Sequence, residues 1–136
     1  ERLASAEGAP AVALYRADVI RFLRASQERG HLYDLLIVDP PKLCPQAKQL
    51  TRAARKYEQI NAHAMRVLRP GGLMLTCTCS AAVAAEDVFM GILRRAAQAA
   101  GRKLTVLAES GAAKDHPWSS EYPEGRYLKA VLVMVS

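Results

Sequence analysis

The sequence lacks the features that mark membrane-spanning, secreted and zinc-binding proteins. No uninterrupted apolar run in its 136 residues approaches the ~20 residues of a membrane-spanning helix, and no secretory signal is found. Its three cysteines, Cys44, Cys77 and Cys79, are an odd number, and a zinc site would need further ligands at a suitable spacing. Reduced thiols in a cytoplasmic protein are therefore the simplest interpretation.

The composition is that of one globular domain with a basic surface. Apolar residues make up 51% of the chain and charged residues 24%, which is ordinary for a globular protein. The formal net charge of +6 suits a polyanionic partner without identifying one. Neither an internal repeat nor a low-complexity segment suggests a second domain.

Apolar runs alternate with helical periodicity along the chain. This alternation predicts an α/β fold with a mostly parallel sheet and helices on both of its faces. The last two strands have no helix between them, so they should pair antiparallel. Strands are predicted over residues 11–15, 35–38, 73–78, 104–108 and 127–135, and helices over residues 18–29, 46–68 and 84–100.

A short apolar run is stopped at Asp39 by an acid and two prolines. Residues 35–38 are predicted to be a strand buried on both faces. Because proline lacks a backbone N–H, Pro40 and Pro41 should end the ladder and leave Asp39 at the carboxyl end of a central strand. Ligands of open α/β sheets bind at that edge, although an ordinary turn would look the same.

Cys79 follows another predicted strand and is the candidate nucleophile. If the two strands are parallel, Cys79 and Asp39 share one edge, where strands about 4.8 Å apart could form one pocket. A thiolate is a suitable covalent nucleophile when a neighbour lowers its pKa. Strand cysteines are otherwise small buried hydrophobes, which is the interpretation that we favour for Cys77 and Cys44.

Two further residues have a structural and a functional interpretation. Asp18 stands between a predicted strand and a helix, so it is either an N-cap or an acceptor for the amine of an adenine-like ligand. The loop over residues 111–125 is long for a compact domain and contains His116, which could take part in acid–base chemistry. The basic residues of the long central helix are more often a solvated face than a nucleic-acid stripe.

Several short motifs follow one another in an order that is specific. They are Val38-Asp39-Pro40-Pro41-Lys42-Leu43, Tyr57 with Ile60-Asn61, Pro70-Gly71-Gly72, Thr78-Cys79-Ser80, Asp115-His116-Pro117, Tyr122-Pro123-Glu124-Gly125 and Tyr127-Leu128-Lys129. Together they resemble the bacterial large-subunit rRNA cytosine-C5 methyltransferase I family, which uses S-adenosylmethionine. The resemblance extends over nearly the whole chain from about residue 11.

The resemblance implies a Rossmann-like class I methyltransferase sheet and methyl transfer to carbon 5 of a cytosine in RNA. Cys79 would attack carbon 6, and Asp39 would hydrogen-bond the N3 and amino edge of the base. Donation to N3 requires a protonated Asp39, which a desolvated pocket favours. The target base must be unpaired or flipped. The resemblance places Pro40, Pro41 and Lys42 on the substrate side and Asp18 near the cofactor adenine.

The chain departs from the family in one respect that affects its expected activity. The family binds its cofactor on a glycine-rich loop after the first strand, and no Gly-x-Gly pattern precedes Ala11. We therefore expect a C-terminal portion of a catalytic domain that is inactive alone. The strand over residues 11–15 would lose its neighbours. It should be displaced, pair with residues 35–38, or borrow a partner chain in a homodimer.

Two alternatives to this function stay open. A non-catalytic module could use the basic helix to bind RNA or a partner, but it would not need both Asp39 and Cys79 at one edge. Adenine-N6 methyltransferases share the Asp-Pro-Pro motif, but they usually carry an aromatic residue where Lys42 stands.

Overall fold

Four helices and four strands make up the described part of the chain. The structure is a computed structural model that describes residues 11–85, 87–122 and 125–136. None of the described helices is long and apolar enough to cross a membrane. The elements are α1 (Val19–Glu28), β1 (Tyr33–Val38), a 3-10 turn (Ala47–Gln49), α2 (Leu50–Arg66), β2 (Leu68–Thr78), α3 (Ala81–Ala84), α4 (Val88–Ala100), β3 (Leu104–Ser110) and β4 (Lys129–Val135).

The four strands form one mixed sheet in the order β1-β2-β4-β3. β1 and β2 are parallel, with Ile37 level with Leu75, whereas β4 is antiparallel to both of its neighbours. The α/β class and the antiparallel pairing of the last two strands are therefore confirmed. The sequence did not predict that β4 also pairs with β2, so the parallel part of the described sheet is the β1–β2 pair.

Three of the helices form a single layer on one face of the sheet. α1 packs on α2, and α2 packs on α4. Below this layer, alternate side chains of β2 and β4 such as Met74, Val131 and Val133 are fully buried. Amphipathic helices bury their apolar stripes in this way, and the predicted apolar positions Leu23, Tyr57, Phe89 and Ile92 all belong to the core.

The opposite face of the sheet carries apolar side chains that the described residues leave uncovered. Leu35 is 53% exposed and Ile37 is 65% exposed. The prediction that residues 35–38 are buried on both faces, between helices on both sides of the sheet, is therefore wrong for the described part of the chain. The physical reason is that α1, α2 and α4 pack on one another and therefore form one layer on one side of the sheet. None of these three helices covers the other side.

Residues 11–15 do not form a strand of the sheet, contrary to the prediction. Only Ala13 has β-bridge geometry in this segment, and the described sheet begins at β1. The segment instead approaches α1, where the ring centroids of Tyr15 and Phe22 are 5.4 Å apart. Of the three outcomes expected for it, displacement from the sheet is the one observed. An apolar run becomes a strand only where a neighbouring edge accepts its hydrogen bonds.

The boundary between α2 and β2 also differs from the prediction. α2 ends at Arg66, and β2 already includes Pro70-Gly71-Gly72, which was expected to precede the strand. The segment from Tyr33 to Leu35 faces the longer segment from Leu68 to Leu73, so β2 bulges away from β1 here. Gly71 has a φ of 81°, a value that glycine adopts without strain and that allows the bulge.

The predicted helix over residues 84–100 is interrupted near its start. Asp87 has a φ of 63° and separates the single turn of α3 from α4. Aspartate tolerates this left-handed conformation better than most residues. α3 therefore stands alone as a short turn that begins two residues after Cys79.

Gly72→Ala should destabilise the protein. A Cβ at residue 72 would lie 2.9 Å from the carbonyl oxygen of Arg69 and 3.2 Å from that of Asp34. Because both atoms belong to the backbone, we expect the free energy of unfolding to fall by about 1–3 kcal/mol in urea denaturation. Gly91→Ala is the matched control, since its Cβ would meet only the end of the Arg95 side chain at 3.5 Å. An equal loss in the two variants would contradict the expected clash.

Candidate active site

Asp39 and Cys79 lie at the carboxyl ends of neighbouring parallel strands. Asp39 directly follows β1, and Cys79 directly follows β2. The register pairs Val38 with Thr76, so Asp39 is level with Cys77. Cys79 stands two residues further along, or about 6.6 Å. The two candidate residues therefore share one edge of the sheet without being directly opposite each other.

Both strand-end cysteines alternate with side chains that face the helices. Thr76 and Thr78 are fully buried, whereas Cys77 and Cys79 are partly exposed on the other face. Burial raises the pKa of the Cys77 thiol, and the negative charge of Asp39 raises it further. Cys77 is thus half-buried rather than a core residue, and its charged neighbour is Asp39.

The segment after Asp39 forms a basic groove against α2. Asp39 is itself exposed. The segment Pro40-Pro41-Lys42 follows along the surface, and Lys42 lines a groove of about 280 Å³. Arg52 and Lys56 of α2 line the same groove. Three cations at one place attract anions to this side of the strand edge.

A buried hydroxyl network holds the strand end that carries Cys79. Thr78 donates to the Tyr57 hydroxyl oxygen of α2 at 2.9 Å, and the Ser80 hydroxyl lies 3.4 Å from the same atom. Ser80 Oγ also accepts from the backbone N–H of Cys44 at 3.2 Å. Tyr57, Thr78 and Ser80 are fully buried. The end of β2 and the loop that follows β1 are therefore tied to one helix by one set of side chains.

A second branch of the network starts at Asn61, one turn further along α2. The Asn61 amide donates to the backbone carbonyl of Tyr57 at 2.8 Å and accepts from the Thr76 hydroxyl at 2.7 Å. Within the described residues, no buried side-chain nitrogen or oxygen lacks a hydrogen-bond partner. A buried polar network in which every member is paired is rigid, so it can position the groups at its ends.

Sequence reasoning included Tyr57, Asn61 and the Thr78-Cys79-Ser80 motif but missed the positioning role of these side chains. The apolar periodicity of α2 correctly places Tyr57 in the core but assigns no role to its hydroxyl group. The usable signal is a two-residue spacing, which puts the hydroxyl groups of Thr76 and Thr78 on the helix-facing side of β2 and continues at Ser80 just after the strand. Buried hydroxyls require partners, and Tyr57 and Asn61, four residues apart on α2, supply them.

Asp18 is the N-cap of α1, which confirms one of its two predicted roles. Its Oδ1 accepts a hydrogen bond from the backbone N–H of Arg21 at 3.0 Å. The residue is exposed. A carboxylate has acceptor capacity beyond one such bond, so Asp18 can also accept from the amine of an adenine-like ligand.

The loop after β3 brings His116 to a larger cleft on the other side of Cys79. His116 Nδ1 lies 3.0 Å from Asp115 Oδ1, and this hydrogen bond lowers the pKa of the Asp115 carboxyl group. The cleft has a volume of about 940 Å³ and includes residues of α3, which begins two residues after Cys79. Since β4 and β3 follow β2 in the sheet, His116 and Asp39 lie on opposite sides of Cys79.

The cysteines do not converge on a metal site in the part of the chain that the structure describes. There, no group of three or more His, Cys, Asp or Glu side chains could hold a metal ion. Cys44 is buried, and its thiol donates to the carbonyl oxygen of Gln46 at 3.3 Å. Its predicted structural role is confirmed.

Comparison with known proteins identifies relatives of the chain. A protein named ribosomal RNA large subunit methyltransferase I from Pseudoalteromonas translucida is 40% identical over 120 residues, covering 88% of this chain and 30% of the relative. The protein of that name from Photobacterium profundum is 44% identical over 113 residues, covering 83% and 28%. The chain is homologous to these methyltransferases. It spans less than a third of their length, and no protein-family model matches it.

Solved structures show the same fold. A protein from Streptococcus mutans, described as a SAM-dependent methyltransferase, has a TM-score of 0.67 at 18% identity, covering 87% of this chain and 29% of that protein. Another, described as a methyltransferase complexed with SAH, has a TM-score of 0.64 at 19% identity, covering 87% and 30%. At such identities the likeness establishes the fold alone. The predicted class I methyltransferase fold is confirmed.

Tyr57→Phe should destabilise the protein at the end of β2. The variant removes the hydroxyl group that Thr78 and Ser80 contact in the core. We expect the free energy of unfolding to fall by about 1–3 kcal/mol in urea denaturation. Tyr15→Phe is the control, because Tyr15 is 72% exposed and its hydroxyl should contribute less than about 0.5 kcal/mol. Equal losses would contradict a special role of the Tyr57 hydroxyl.

Asp39→Asn should lower the pKa of the Cys77 thiol. Because only the thiolate reacts with iodoacetamide, alkylation of Cys77 should begin at a lower pH in the variant than in the unmodified protein. Peptide mass spectrometry across a pH series gives the two midpoints. Asp34→Asn is the control, since Asp34 lies at the start of β1 and pairs with Arg69 at 3.2 Å. An unchanged midpoint in Asp39→Asn would contradict the electrostatic effect of Asp39 on the Cys77 thiol.

Proposed function

We propose that this chain is the C-terminal part of a catalytic domain that transfers a methyl group from S-adenosylmethionine to carbon 5 of a cytosine in RNA. The observation that carries the proposal is the position of Asp39 and Cys79 after neighbouring parallel strands. The names of the relatives support methyl transfer and large-subunit rRNA as the substrate class. The net charge of +6 suits a polyanionic substrate.

Cys79 would be the nucleophile. Carbon 5 of cytosine is a poor nucleophile, so the Cys79 thiolate would first form a C–S bond to carbon 6 and place an electron pair at carbon 5. Once carbon 5 has bonded to the methyl group, a base removes its proton, the ring double bond re-forms and the C–S bond breaks. S-adenosylmethionine, when bound, would supply the methyl group.

Asp39 would orient the base for this attack. As a carboxylate it accepts from the cytosine amino group, and when protonated it also donates to N3. Because Asp39 is exposed in the described chain, the required desolvation would come from the bound base or from a covering segment. Pro40 and Pro41 would stiffen the backbone at this point, and Lys42 would attract the phosphates of the RNA.

Asp18 would hold the adenine side of the cofactor. It is exposed at the start of α1, and its carboxylate has acceptor capacity beyond the cap hydrogen bond to Arg21. A hydrogen bond from the adenine amine is compatible with this geometry. The residue would therefore combine its structural cap with a binding role.

The uncovered apolar face of the sheet favours one alternative function, a non-catalytic module that binds RNA or a partner. Leu35 and Ile37 on this face are more than half exposed, at 53% and 65%. Such a module needs no thiolate at the strand edge. An adenine-N6 methyltransferase, the other alternative, would transfer methyl groups whether or not Cys79 is present.

A covalent trap separates these functions. In RNA containing 5-fluorocytidine, the fluorine at carbon 5 cannot leave as a proton does, so the enzyme remains bonded to the base. With S-adenosylmethionine, the full-length protein should form an RNA adduct that survives denaturing electrophoresis. Cys79→Ala should abolish the adduct completely.

Cys77→Ala is the matched control for the trap. It removes a thiol from the same face of the same strand end, two residues away, and should leave the adduct yield within about twofold. An adduct that persists in Cys79→Ala would refute the assigned nucleophile. Binding of RNA without any adduct would support the non-catalytic module, and methyl transfer by Cys79→Ala would support the adenine-N6 reaction.

A further inference from the structure

The larger cleft lies at the edge of the sheet close to the end of β2, the strand that Cys79 follows. It has a volume of about 940 Å³, within the range of ligand sites in proteins. Lys129 lines the cleft and is the register partner of Thr78, the residue before Cys79. Asp39 follows the strand on the other side of β2. A base held between Asp39 and Cys79 would therefore have this cleft as its neighbour along the sheet edge.

An aromatic side chain and a cation in mutual contact line the cleft. Trp118 is 51% exposed, and the guanidinium carbon of Arg126 lies 5.0 Å from the centre of its ring. This cation–π contact places the guanidinium group against the ring. Gly125 makes the arrangement possible, because a Cβ there would lie only 3.0 Å from the Cβ of Trp118.

The charge of the cleft is suited to an anionic ligand. Lys129 is neutralised by Glu109 at 2.9 Å, but Arg126 forms no ion pair with the acids that the structure describes. His116 also lines the cleft. The cleft is also lined by the small residues Ala81, Ala84 and Ala85, which fill little of its volume.

We infer that this cleft is a subsite for a nucleotide of single-stranded RNA that lies next to the target cytosine. The inference rests on the proposed function for the identity of that cytosine. The base of the neighbouring nucleotide stacks on Trp118, and its phosphate pairs with Arg126. Aromatic rings stack on any base, and arginine binds phosphate through paired N–H groups, so the combination recognises a nucleotide rather than a peptide or a lipid.

A double-mutant cycle between protein and RNA tests the subsite in the full-length protein. Short single-stranded RNAs carry the target cytidine and one abasic nucleotide, placed at each flanking position in turn. For the unmodified protein, removing the base at one flanking position should weaken binding about tenfold in a fluorescence anisotropy titration. In Trp118→Ala the intact RNA should already bind about tenfold more weakly, and removal of the same base should not weaken binding any further.

Conservative variants distinguish stacking from a purely structural role of the pair. Trp118→Phe keeps a ring and should recover part of the tenfold loss, while Arg126→Lys keeps the charge and should bind better than Arg126→Ala. Tyr122→Ala and Lys114→Ala are matched controls, an exposed aromatic and a cation of the same loop that do not line the cleft. Both controls should retain the flanking-base effect.

Two outcomes separate this inference from the function on which it rests. In the first, Cys79-dependent trapping is normal, but an abasic nucleotide weakens RNA binding by the same factor in Trp118→Ala as in the unmodified protein at every position. The subsite is then overturned and the methyl-transfer proposal stands. If the coupling to Trp118 is observed but no adduct forms, the subsite stands and the cytosine chemistry is overturned.

Discussion

The hydrogen bonds around the Tyr57 hydroxyl are the constraint on which the candidate site depends. Through Thr78 and Ser80 they join helix α2 to the end of β2, and through Ser80 they reach the backbone of Cys44. Two segments that are far apart in sequence thereby meet at one buried point. Two candidate residues on separate loops need such a link, because side chains on independent loops would not keep a common geometry.

The single helical layer decides how the two sides of the sheet differ. One side is closed by α1, α2 and α4 and holds the polar network, whereas the other exposes Leu35 and Ile37 beside Asp39 and both strand-end cysteines.

Local patterns predicted the helices well and failed where a strand needed a neighbour. α1 and α4 lie close to their predicted positions. An apolar period of 3.6 residues marks the buried stripe of a helix, and this signal lies within the segment itself. Residues 11–15 look equally like a strand but lie outside the described sheet. Their state depends on an edge elsewhere in the fold, and the burial of residues 35–38 depends on which side the helices occupy. The periodicity of a single segment predicts neither the state of residues 11–15 nor the burial of residues 35–38.

By itself, the sequence determined the α/β class, the strand ends at Asp39 and Cys79, and the order of motifs that resembles rRNA methyltransferases. These are properties of short segments, where prolines, glycines and apolar spacing act through the backbone nearby. Only the tertiary structure decided that β4 lies beside β2, that Asp39 is level with Cys77, and that Trp118 and Arg126 line a cleft near the end of β2. Such contacts join residues distant in sequence, and their energies depend on packing and register that no single segment specifies.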